Sequence, residues 1–123
     1  MARTATLLFN GPTTVDDAAI LIASIVEARF VFAVVQHVRF YEAHVDGVHV
    51  VVKHNLHNGG DPRVYGRRWQ ATFRDADDGG EFACGQVARR AYEALLHSRV
   101  GVTLVFDGEV ELAMSASGAW RLP

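Results

Sequence analysis

Asp46-Gly47 stands between two runs of β-branched and aromatic residues, 30–45 and 48–55, and constrains the fold more than any other pair in the chain. Asp-Gly favours a two-residue type I′ turn, because both positions accept positive φ and the turn's twist matches that of the strands it joins. A two-residue loop also sets the register. Val45 must lie opposite Val48, His44 opposite His49, Glu42 opposite Val51 and Phe40 opposite Lys53. Alternation then puts Arg39, Tyr41, Ala43, Val50, Val52 and His54 together on the other face. The first run reads as one strand over residues 30–44, well beyond the usual length of about five or six residues. A bend or bulge is expected near Gln36–Arg39, where the apolar pattern breaks.

The flanking segments supply the other elements. Residues 4–9 form a short β-type run closed by the turn cluster Asn10-Gly11-Pro12. Thr13 or Thr14 caps a helix over 14–28, with Asp16 and Asp17 in its positive first turn and Ala18, Leu21, Ile22, Ile25 and Val26 at helical spacing. Residues 67–74 alternate as a strand with Trp69, Ala71 and Phe73 facing in. A second helix over about 81–98 carries Cys84, Val87, Ala88, Ala91, Tyr92 and Leu95 as its buried stripe. A last hairpin turns at Asp107-Gly108, and the residues from Ser115 on read as a tail unless Trp120 docks.

Residues 1–123 form a single domain in this reading, without repeat or linker. The order β-α-β-β-β-α-β-β indicates an α+β fold, a mixed or antiparallel sheet of five to six strands with two helices packed on one face. In a single long strand, Phe32, Val34, Val38 and Phe40 share one side while Val31, Ala33, Val35 and Tyr41 share the other. Two helices cover one face only. The opposite face is therefore expected to be buried in a second copy, giving a homodimer or higher oligomer.

Composition narrows the setting. Half the residues are apolar and 21% are charged, the balance of a globular protein. Cys84 is the only cysteine, so no internal disulfide forms and a reducing, cytoplasmic location is expected. The apolar stretch 18–26 is too short for a membrane span, which needs about 20 residues. It also follows two aspartates rather than the positive flank of a signal peptide. A net charge of −2 exerts no general pull toward nucleic acid or membranes.

Chemistry is signalled by one cluster: five of the six histidines fall within residues 37–57. His54, His57 and Asp61 have the donor types of a zinc site, with His37 on the face of Arg39 and His54. The plainer reading makes His57 and Asp61 turn and cap residues. His44 and His49, directly opposed, are a further candidate pair. No recognisable catalytic motif and no cofactor fingerprint accompanies these residues. Cys84 sits on a buried stripe without a basic partner, no serine occupies a nucleophile elbow, and the Asn10–Thr14 turn lacks a phosphate loop's pattern.

The segment 56–66 is the longest irregular one, and the arginines on and after it suit an anion. Arg63, Arg67 and Arg68 supply charge-assisted donors, Tyr65 an aromatic face, and His54 and His57 further hydrogen-bonding groups. The expected function is a non-enzymatic interaction or regulatory module, binding a protein partner with an acidic surface or a small anionic ligand. A metal protein or enzyme using His54, His57 and Asp61 is the alternative. Single-stranded nucleic acid held on an arginine-rich sheet face is the third reading; it is disfavoured because Trp69 and Phe73 fall on the apolar side and residues 75–81 return acidic charge.

Overall fold

The computed structural model describes residues 4–56, 66–75, 83–98, 101–106, 109–115 and 118–119. Along the chain run β1 (Thr4–Phe9), α1 (Val15–Val26), β2 (Val31–Val35), β3 (Val38–Val45), β4 (Val48–His54), β5 (Trp69–Asp75), α2 (Ala83–His97), β6 (Val102–Phe106), β7 (Glu109–Ser115) and β8 (Gly118–Ala119). The strands form one sheet in the order β2-β3-β4-β5-β1-β6-β7-β8, and every adjacent pair is antiparallel. The class is α+β, with both helices on the face that carries the core.

Asp46 and Gly47 close their turn at φ 51° and 75°, and β3 pairs with β4 in the expected register, Val45 with Val48 through Phe40 with Lys53. The residue types alone explain this outcome. α1 starts at Thr14, whose hydroxyl accepts the Asp17 N–H at 3.0 Å, with Asp16 and Asp17 in the first turn. It ends at Glu27 in the left-handed region (φ 56°), where the N–H of Glu27 reaches the Ala23 carbonyl. Ala18, Ala19, Ile22 and Val26 are buried, in a helix that packs mostly against β4 and α2. α2 buries all six residues of its expected stripe. Beneath them Phe9, Leu7, Phe73, Val50 and Val52 fill the core.

The strand expected over 30–44 is instead two strands. Gln36 and His37 both take positive φ, 50° and 67°, and reverse the chain in a second two-residue turn. Val35 then pairs with Val38 and Val31 with Glu42. Phe32 and Val34 therefore share a face with Arg39 and Tyr41, while Val31, Ala33 and Val35 share the other with Val38 and Phe40. This replaces the grouping a single strand implies. The tail also contributes structure, since Gly118–Ala119 pairs with β7; Trp120 lies outside the described residues.

The face away from the helices, expected to be buried in a second copy, is of mixed character. Its centre carries Lys53, Gln70, Thr72, Arg74 and Thr6, all at least partly exposed, while Leu8 and Thr103 are buried. Apolar exposure concentrates at the β2 end instead. Val31 is 61% exposed, Phe32 47%, Val34 54% and Val35 57%.

Cys84 shows how α2 is anchored. Asp75, at the end of β5, accepts the Cys84 N–H on Oδ1 at 2.9 Å, placing a carboxylate at the helix N-terminus. Its Oδ2 faces the thiol sulfur at 3.6 Å. Burial, reinforced by the Asp75 charge, holds the Cys84 thiol above its ordinary value of 9.0. The fold thus prefers the protonated thiol. The stability linked to it is fully present below the unfolded value and is lost as pH rises toward the raised folded value. Two results are expected: slow native labelling by a thiol reagent but fast labelling after denaturation, and a shallower alkaline loss of stability in Cys84→Ala. Fast native labelling contradicts this picture.

Candidate functional site

The β2–β3 turn, the end of β4 and the start of β5 enclose a cavity of about 380 Å³. Among the described residues, His37, Arg39 and His54 are its polar side chains, and Val15, Val38, Leu56 and Trp69 form apolar walls. This volume lies near the lower end of the range of small-ligand clefts, about 300–1,000 Å³. The register explains the convergence. Arg39 pairs with Val34 on one side and lies one step beyond the Phe40–Lys53 pair, which places it across from His54. His54 in turn pairs with Trp69.

Trp69 forms the rigid wall. Its ring is buried, and its Nε1 donates to the Pro12 carbonyl at 2.6 Å. Asn10 adds a second tie by accepting the Arg68 N–H on Oδ1 at 2.8 Å. The His54 ring meets Trp69 edge-on with centroids 5.5 Å apart, and the Arg68 guanidinium lies 5.5 Å from the same ring. Among the described residues, Arg39 and His37 have no hydrogen-bond or ion-pair partner. Among the described residues no carboxylate lines the cavity; Asp16 accepts a hydrogen bond from the Tyr41 hydroxyl, which holds that phenol above its ordinary value.

His37 occupies its position at φ 67°. A non-glycine residue there costs roughly 1–2 kcal/mol that glycine would avoid. Backbone outliers of this kind concentrate at functional sites.

The sequence-derived site residues divide into three groups. His57, Asp61, Arg63 and Tyr65 lie outside the described residues. His54 and Arg68 are exposed and touch the same indole. Arg67 is buried, with 6% exposure; its Nε donates to Thr103 Oγ1 at 3.1 Å and its carbonyl accepts from Asn55 Nδ2 at 2.8 Å. Desolvation lowers the pKa of Arg67, opposed by Tyr92. Arg67 thus belongs to the packing between β5, β6 and α2. Among the described residues no group of three or more His, Cys, Asp or Glu is placed to hold a metal ion.

His44 and His49 stack across the hairpin with centroids 4.7 Å apart, and His49 Nε2 lies 3.3 Å from Glu42 Oε2. Val15, Val38, Arg39, Leu56 and Trp69 are the described cavity residues that sequence reasoning did not assign to a site. The Asp46-Gly47 register did mark Arg39 and His54 as neighbours on one face, but alternation assigned Trp69 wholly to the core.

No protein-family model matches the chain, and neither the curated proteins nor the solved structures contain a match. Among the described residues no helix is long and apolar enough to cross a membrane.

Proposed function

We propose that this chain is a non-enzymatic interaction module that works as a homodimer, with β2 of one copy paired antiparallel to β2 of the other. The observation that carries this reading is the exposed apolar edge strand Val31–Val35. An edge presents unpaired N–H and C=O groups, and proteins normally guard one with charge, proline, a bulge or a very short strand. β8, at the other edge, is two residues long. β2 has five residues and none of these protections.

Its sequence also suits its own copy. Antiparallel pairing centred on Ala33 places Val31 opposite Val35 of the second copy and Phe32 opposite Val34, with the small alanine at the dyad. No charge meets a like charge. Such an isologous contact closes after two copies. It satisfies the open backbone edge and sets the apolar side chains of the two β2 strands beside one another on both faces.

Sedimentation equilibrium tests the pairing. Wild type should be dimeric, and Val31→Lys with Val35→Lys should weaken association by about tenfold or more per ammonium buried without a partner. Val31→Lys with Val35→Glu should recover it, because each lysine then faces a glutamate across the dyad. A wild-type chain that stays monomeric at high micromolar concentration overturns the proposal, as does equal dimerisation by all three.

A further inference from the structure

We infer that the cavity bounded by His37, Arg39, His54 and Trp69 binds a small amphipathic anion, one carrying a single carboxylate or similar group on an apolar tail. The ligand class follows from the lining. Arg39 is a permanent cation with five donors and no partner among the described residues. His37 and His54 flank it and offer ring nitrogens that can donate. A guanidinium with no opposing carboxylate among the described lining residues attracts an anion and repels a metal cation, which sets this site apart from a zinc centre.

The rest of the lining is apolar. Val15, Val38, Leu56 and the small exposed part of Trp69 provide apolar surface that a bare inorganic anion would leave in contact with water. Leu56 is 63% exposed, and an alkyl or aryl tail laid against it removes that surface from water. A head group on Arg39 and a tail on Leu56 and Trp69 use both halves of the cavity. The positive φ of His37 fits this role, since a strained non-glycine residue is retained at the rim where glycine would fold more easily.

Val31 and Val35 lie on the opposite face of β2 and do not line the cavity. Phe32 and Val34 of the proposed dimer contact do share the Arg39 face, so the substitutions at Val31 and Val35 are what separate the two readings.

Calorimetric titration with three probes tests it: octanoate, its neutral analogue octanamide, and inorganic phosphate. Octanoate should bind saturably, with the other two weaker by about tenfold or more. Arg39→Gln should weaken octanoate about tenfold or more without changing octanamide. His37→Gly should raise the thermal midpoint, by relieving the positive φ, and still weaken octanoate. That opposite pair of changes cannot come from a variant that merely folds badly. The Val31→Lys, Val35→Lys variant should bind octanoate as wild type does; loss there places the anion at the dimer contact and overturns the assignment. So do equal affinities for octanoate and octanamide, an undiminished Arg39→Gln, or no saturable octanoate binding.

Discussion

Replacing Gly101 by alanine is expected to destabilise the protein by about 1–3 kcal/mol, and to cost almost nothing once Arg67 is alanine. A Cβ at Gly101 would lie 2.2 Å from Arg67 Nη1 and 3.1 Å from its Cζ. The end of an arginine is ordinarily free to swing away. This one is not, because the side chain is buried and its Nε is tied to Thr103 Oγ1. A displaced guanidinium would give up that hydrogen bond inside the fold and leave the buried hydroxyl of Thr103 without it.

Arg67→Ala alone should cost about 2–4 kcal/mol, from lost packing of the long stem and from the polar groups it leaves behind. In that background the clash has no partner, so the two changes should be strongly non-additive. Denaturant unfolding of the four proteins in the cycle measures the coupling. Additive losses would show that Arg67 does not rest on the backbone at Gly101.

Trp69→Ala should be the more damaging single change, costing about 3–5 kcal/mol. The indole is almost fully buried at the junction of β5, β4 and the Asn10–Pro12 turn, and its removal leaves a large void. Trp69→Phe separates two contributions. It keeps an aromatic ring for His54 to meet edge-on but removes the Nε1 donor, stranding the Pro12 carbonyl, for about 1 kcal/mol. Equilibrium denaturation checks both values. Near-equal losses for the two variants would mean that the hydrogen bond to Pro12, rather than packing, holds this corner.

Legibility in the sequence followed the range of the forces concerned. The hairpin at Asp46-Gly47 and both helices were readable because turn chemistry and helical periodicity act over a few residues. Gln36 and His37 hid the first hairpin for two reasons. Neither is a residue that ordinarily marks a positive-φ turn. Residues 31–35 are also apolar at every position. A two-residue turn changes which alternate positions share a face, and a uniformly apolar run carries no mark of that change. Arg67 misled in a different way: arginine is seldom fully buried, so a cluster of arginines reads as a solvent-facing anion site. Only Gly101, a bare backbone beside the guanidinium, makes room for it.

The sequence by itself determined the α+β class, the two amphipathic helices and the pairing register of β3 on β4, all consequences of local periodicity and of one turn. The tertiary structure decided the strand order, which puts β1 between β5 and β6 and leaves β2 at an open edge. It also decided the cavity, which joins Val15, His37, Arg39, His54 and Trp69 from four separate stretches of chain. Each of those residues has an ordinary local role as helix start, turn or strand position. Their meeting depends on long-range packing of the sheet, which no short window of sequence encodes.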